Sequence, residues 1–332
     1  MSRARTRVVA SAGLSVALVA AVAACSTNTS SGGADGSATF RRPVEMVAPF
    51  GPGGGSDQVA RAAAAQMESS IDTDVPVVNV PGATGSTGTT KMLSSRPGES
   101  MSIMIQDTFT TVPAGAASFS MDELTAVCRL QSMPSALMVR KDKYDDWKDL
   151  AADAKSQPGE LTVATVGSNS VDDVVLAALE ETQDTKFRAV PFSEPSERYA
   201  ALLGGEVDAL YEQLGDVREY LDSGDFVPVI LLSKTPVEGY DDVPTAADIG
   251  LPEDVVLPQF RGIVVNADTE TDVVDALSDA CKDAVDSSEM QEFQKQVYAD
   301  DDSYQNADDF QAFLDEQNEL ITAQLDKYGM SE

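Results

Sequence analysis

The chain has 332 residues, with 23 Lys and Arg against 55 Asp and Glu, a formal net charge of −32, and no histidine. Without histidine there is no Ser-His-Asp triad, no Cys-His pair and no histidine-ligated zinc site, which removes most hydrolase chemistry. The acidic balance makes nucleic acid an unsuitable partner and reads as a solvated, self-repelling surface.

Arg3, Arg5 and Arg7 precede an apolar, small-residue stretch from Val8 to Ala24, the layout of a secretory signal and too short to span a bilayer as a helix. Val22-Ala23-Ala24-Cys25 resembles a lipobox, so residues 1–24 are expected to be removed and Cys25 to become a lipidated N-terminus. The Ser-, Thr-, Gly- and Asn-rich residues that follow, through 39, read as a flexible tether. Roughly 300 residues remain, which suggests two lobes at about 100–200 residues per domain. No later stretch reaches the ~20 consecutive apolar residues of a membrane helix.

From Val44 onward short β-rich runs alternate with helical patterns. Strands are predicted at Val44 to Pro49, Val75 to Val80 and Met101 to Gln106, with helices near Asp57 to Ser70 and Thr87 to Leu93. A second series follows with Ala136 to Arg140, Leu161 to Val166, Phe187 to Val190, Val207 to Tyr211 and Val227 to Leu232, and a helix near Asp172 to Glu181. That rhythm argues for βαβ units and two parallel sheets. The end is helical: Val273, Val274, Leu277, Ala280, Cys281 and Ala284 share one face, and Phe310, Phe313, Leu314, Leu320, Ile321 and Tyr328 another.

Two glycine loops each follow a strand and precede a helix. Pro49-Phe50-Gly51-Pro52-Gly53-Gly54-Gly55-Ser56-Asp57 lets backbone approach a ligand closely, and a helix N-terminus behind it makes an anion seat. Ser56 or Asp57 is available to cap that helix. Pro81-Gly82-Ala83-Thr84-Gly85-Ser86-Thr87-Gly88 offers a second seat, so two carboxylates could be held. Neither loop is a phosphate loop or a dinucleotide fingerprint, and either taken singly reads first as a tight strand-to-helix turn. A third turn, Val166-Gly167-Ser168-Asn169-Ser170, supplies hydroxyls and N–H groups from the second lobe.

Cys128 and Cys281 are the remaining cysteines; a disulfide and two buried free thiols are both open. Asp300-Asp301-Asp302 lacks the spacing of a calcium loop and reads as surface. Arg261 reads as a surface arginine offsetting the acidic lobe, with a cleft position gripping a carboxylate as the alternative. Trp147 reads as packing.

Across these segments the chain resembles the solute-binding component of the tripartite tricarboxylate transporter family, the Bug-type receptors. The resemblance runs through Arg42-Pro43-Val44, PFGPGGGSDQVAR (Pro49 to Arg61), VVNVPGATGSTG (Val77 to Gly88), TVATVGSNS (Thr162 to Ser170), AALLGGEVDALYEQL (Ala200 to Leu214), VPTAADIGL (Val243 to Leu251) and FRGIVV (Phe260 to Val265). It implies an α/β, two-lobed periplasmic-binding fold, each lobe a mainly parallel sheet flanked by helices. The first lobe takes residues 40–132 and 232–332, the second 133–231, with crossings near Leu130 to Pro134 and Leu231 to Ser233. Carried over by position, it assigns the ligand to Phe50, Gly54, Gly55, Ser56 and Asp57, to Ala83, Thr84 and Gly85, and to Ser168, Asn169 and Ser170, with Asp107, Thr108 and Glu212 added at strand ends. It also implies a receptor without cofactor, metal or enzymatic activity. Such a receptor captures a small carboxylate, di- or tricarboxylate, and as a monomer delivers it to integral membrane permease subunits. A sensor of the same fold and a hydrolase are the alternatives. Two departures stand out: relatives' Thr-His pair is replaced by Asp172-Asp173, and their Asp-Asn by Glu212-Gln213. Ionised aspartates cannot donate to an anion; they are left to cap the helix or to accept from a ligand amine or hydroxyl.

Overall fold

The computed structural model describes residues 40–330 apart from 168, 169 and 258. The expected signal, Cys25 and the tether lie outside the described residues, as do Ser168 and Asn169.

Two five-stranded sheets organise the described residues. The first holds β1 (Glu45–Ala48), β2 (Val77–Asn79), β3 (Ser100–Ile105), β4 (Leu124–Met133) and, from late in the chain, β10 (Gln259–Asn266), in the order β2-β1-β3-β10-β4. The second holds β5 (Ser135–Arg140), β6 (Thr162–Thr165), β7 (Arg188–Pro191), β8 (Ala209–Gln213) and β9 (Phe226–Leu232), in the order β7-β6-β8-β5-β9. Only Pro134 separates β4 from β5, so the chain passes from one sheet to the other at a single residue that cannot donate to either ladder.

The sequence rhythm predicts parallel sheets, and the structure corrects this in one respect: each sheet is mixed. β10 lies antiparallel between β3 and β4, and β5 antiparallel between β8 and β9, the same place in both sheets. The remaining neighbours pair in parallel. The reversed strands arrive from outside the local βαβ series, so strand-helix alternation carries no trace of them.

Helices cover the sheets. Those of the first are α1 (Gly55–Ile71), α2 (Ser86–Leu93), α3 (Gln106–Thr110), α8 (Thr271–Asp286), α9 (Ser288–Gln296) and the long α10 (Ala307–Tyr328). Those of the second are α4 (Trp147–Ser156), α5 (Val171–Gln183), α6 (Pro195–Gly204) and α7 (Arg218–Ser223). Strands buried on both faces feed two clusters by alternation. On β3, Met101 and Ile103 pack toward α1 and α8 with Val59, Ala63 and Leu277, while Met104 points to the opposite side. On β5, Leu137 and Val139 alternate with Ala136 and Met138 in the same way. Phe310, Leu314, Ile321 and Leu325 of α10 share a cluster with Val174 and Leu179 of α5, so the last helix packs against both sheet systems. Trp147 is buried beside Phe187, ring centroids 6.4 Å apart. Among the described residues no helix is long and apolar enough to cross a membrane, and no group of His, Cys, Asp and Glu could hold a metal ion.

Cys128 on β4 and Cys281 on α8 form a disulfide with a Cα–Cα distance of 6.6 Å across 153 residues of sequence. Closing so long a loop restricts the unfolded chain. Replacing both cysteines by Ala is expected to lower the unfolding free energy by about 2–4 kcal/mol, read as a lower denaturant midpoint; an unchanged midpoint excludes a stabilising role.

Candidate functional site

The loop between β1 and α1 is held by one carboxylate. Asp57 Oδ2 accepts from the Gly53 N–H at 3.0 Å, Oδ1 accepts from Asn79 Nδ2 at 3.0 Å, and Arg61 pairs with Oδ1 at 2.8 Å. Asn79, at the end of β2, also donates to the Phe50 carbonyl at 3.0 Å, tying the loop to the neighbouring strand. Burial pushes the Asp57 carboxyl up, but hydrogen bonds from Arg61, Gly53 and Asn79 outweigh it and hold the group below the usual range. Two expectations change here. The N-cap is Gly54 with no side-chain cap, so neither Ser56 nor Asp57 fills that role, and the Asp57 carboxylate is engaged by the loop itself. Phe50, Gly54, Gly55 and Ser56 are buried around it.

The loop between β2 and α2 runs through four successive residues with positive φ: Gly82 at 128°, Ala83 at 49°, Thr84 at 50° and Gly85 at 87°. Side chains disfavour this region, so Ala83 and Thr84 carry backbone strain of the kind that functional loops store. Ala83 is exposed, whereas Thr84 and Gly85 turn inward. A Cβ on Gly85 would collide with Thr108 Oγ1 and lie 3.1 Å from Phe50 Cε2. Three predicted residues from three separate strand ends, Phe50, Gly85 and Thr108, therefore meet at one point. Asp107 and Thr108 are buried at the start of α3, and Asp107 Oδ1 and Thr108 Oγ1 have no hydrogen-bond partner among the described residues.

The second lobe answers with the start of α5. Ser170 is its N-cap in a capping box with Asp173, whose side chain accepts from the Ser170 N–H at 3.4 Å. Ser170 thus anchors the helix. Asp172 Oδ2 accepts from the Val166 N–H at 2.7 Å, tying the start of α5 back to the end of β6. Glu212, at the end of β8, is taken by Arg198, whose Nε donates to it at 3.1 Å and whose Nη2 pairs with it as well.

The lobes meet through named contacts. Arg261 on β10 forms an ion pair with Asp216, just past β8, their side chains 5% and 4% exposed. The surface reading of Arg261 is overturned: β10 is an interior strand, and its side chain enters the cleft, where Gln131 Oε1 accepts from Nη1 at 3.4 Å. Gln259 Nε2 donates to the Tyr211 hydroxyl at 3.1 Å, and Thr84 abuts Gly167. A Cβ on Gly55 would collide with both Arg261 and Asp216, which gives that glycine a steric reason. Burial pushes the Asp216 carboxyl up against the pull of Arg261. Arg198, Tyr199 and Asp216 were not foreseen. For Arg198 and Tyr199 the one signal is a cation inside the helical stripe Arg198-Tyr199-Ala201-Leu202, where solvent exposure would have put it on the other face; Asp216 has none.

Two helix-flanked mixed sheets meeting through their strand-to-helix loops define a two-lobed periplasmic-binding fold. The chain belongs to the family described as Tripartite tricarboxylate transporter family receptor, which matches residues 59–330. The protein BugT of Bordetella pertussis is 27% identical over 226 residues, 66% of this chain and 69% of that one. The periplasmic binding protein BugD superposes with a TM-score of 0.80 at 24% identity, over 88% of this chain and 99% of its own. MatC from Rhodopseudomonas palustris, solved with bound malate, superposes with a TM-score of 0.75 at 24% identity, over 87% and 98%.

Asp57→Ala removes the acceptor for Gly53, Asn79 and Arg61 and is expected to cost about 1–3 kcal/mol. Because the folded carboxyl sits below its unfolded value of about 3.9, this stability is present above that pH and is lost as pH falls through the folded value. Denaturant unfolding between pH 2 and 6 should therefore show a shallower acid slope in the variant; equal slopes exclude the loop-bracing role.

Proposed function

We propose that this protein captures a small carboxylate between its lobes and presents the closed form to integral permease subunits of a tripartite transporter. The observation that carries the reading is the convergence of Phe50, Gly85 and Thr108 from three loops of the first lobe, with the α5 turn of the second lobe against Thr84. The backbone at Ala83 and Thr84 and the starts of α1 and α2 provide N–H groups for the carboxylate, beside Gly54, Gly55 and Ser56; Ser168 and Asn169 are the second-lobe candidates that the sequence supplies. Malate and adipate held by two solved proteins of this fold support the ligand class. The sequence-based expectation is a di- or tricarboxylate. The protein acts as a binding receptor and not as an enzyme, as a monomer, held at the outer face of the membrane through a lipid on Cys25.

A ligand that binds only the folded state raises its melting temperature, by the equivalent of about 2.7 kcal/mol at a hundredfold excess over Kd. Thermal-shift measurement against mono-, di- and tricarboxylates, amino acids and sugars is expected to give a dose-dependent rise within one class of carboxylate. In Gly55→Val, which drives a side chain into Arg261 and Asp216, that rise is expected to vanish while circular dichroism is retained. A shift with sugars alone rejects the reading. Cys25→Ala is expected to move the protein from the membrane fraction to the soluble one, and retention in the membrane fraction rejects the anchor.

A further inference from the structure

Asp107 and Asp172 come from opposite lobes and are 1% and 0% exposed. Each has one carboxylate oxygen engaged by a backbone N–H, Val171 for Asp107 and Val166 for Asp172. The Oδ1 atom of each has no hydrogen-bond partner among the described residues, and neither has the neighbouring Thr108 Oγ1. The charged groups facing the pair are Asp173 on α5, Arg198 on α6 and Glu212 on β8, with the neutral hydroxyl of Tyr211 beside them. Arg198 is the cation of this set, and its guanidinium is taken by Glu212 and the Phe192 carbonyl. Two buried carboxylates are left without a cation of their own, an arrangement that closure tolerates only with a proton or a positive group between them.

We propose that the unpartnered oxygens of Asp107, Asp172 and Thr108 form a subsite for an ammonium group, so that the captured acid is zwitterionic, an amino acid, rather than a plain di- or tricarboxylate. This rests on the carboxylate-capture reading and narrows it. An ammonium carries three N–H donors, and three buried oxygens lack donors: those of Asp107 and Thr108, adjacent in sequence, and that of Asp172, next to Val171, whose N–H bonds Asp107. Thr108 touches Gly85, so the subsite adjoins the carboxylate seat, as the ammonium adjoins the carboxylate in an α-amino acid. A second ligand carboxylate in the same place would meet like charge.

The titration of the pair supports the geometry. Burial first, then the charge of Glu212, pushes Asp107 up to about 7 against the pull of Arg198. Burial and the charge of Asp107 raise Asp172. An ammonium favours the ionised pair, so its binding releases protons near neutrality, and affinity rises with pH and is lost as pH falls through the range of the pair. A plain dicarboxylate has the opposite slope.

The test is calorimetry on the purified protein from pH 5 to 8, in buffers of different ionisation enthalpy, with matched probes: L-glutamate and glutarate, L-aspartate and succinate, L-malate, L-leucine and 4-methylpentanoate, and cadaverine as an amine without carboxylate. At least one amino acid is expected to bind a hundredfold or more tighter than its desamino partner, with proton release and a rising pH profile. Asp107→Asn and Asp172→Asn should reduce that ratio at least tenfold and flatten the profile. Both variants keep an acceptor for Val171 or Val166, and the wild-type pH profile decides the matter where a variant does not fold. Desamino or hydroxy acids binding as tightly as the amino acids, or with affinity falling as pH rises, overturn the ammonium subsite and leave carboxylate capture standing. Cadaverine binding without any acid supports the subsite and overturns carboxylate capture. No binding by any probe overturns both.

Discussion

The side chains of Asp107, Asp172, Glu212 and Asp216 are buried together with two guanidiniums, Arg198 and Arg261, and the arrangement of the two lobes depends on how these charges are matched. The two ion pairs divide the work. Arg198 and Glu212 both belong to the second lobe, and their pairing fixes the end of β8. Arg261 lies on β10 of the first sheet and Asp216 just past β8 of the second, so their pair joins the two lobes. A buried pair of this kind adds little net stability, since desolvation offsets most of the attraction, but it is costly to misplace and so fixes how the lobes register. In the capture we propose, this latch favours the closed form and the surplus of acid opposes it. A small free-energy difference between the two states is what lets a ligand that prefers one of them shift the population.

The alternation of strand and helix was legible from Val44 to Leu232 because each short β-branched run is bounded by turn residues, and the observed elements fall within a few residues of those positions. The two apolar stripes near the C-terminus were legible for the same reason: Leu277, Cys281, Phe310 and Ile321 repeat at helical spacing and are buried. β4 and β10 were not anticipated. Each finds its partner far away in sequence, Gly262 opposite Met104 and Arg129, so local alternation does not announce it.

The same non-local pairing explains the misreading of Arg261. A guanidinium beside Phe260 and Gly262 gives no local sign of burial; its position follows from β10 lying between β3 and β4 and from Asp216 arriving across the cleft. In the glycine loop the structure changes one reading, the helix cap. Asp57 stands where a helix-capping or ligand-facing carboxylate is expected, yet Asn79, on another strand, claims it for the loop itself. Loop composition shows that backbone can come close to something. Which side chains face inward depends on partners that sequence spacing does not reveal.

The Cys128–Cys281 bond encloses every strand of the second sheet within a covalent ring, since β5 through β9 all lie between the two cysteines. The ring is closed from the first sheet, through β4 on one side and α8 on the other. A protease that cuts once anywhere in the second lobe therefore releases no fragment. The nicked molecule stays in one piece, with both chain segments of the first lobe tethered across β4 and α8, and it separates only when the bond is reduced.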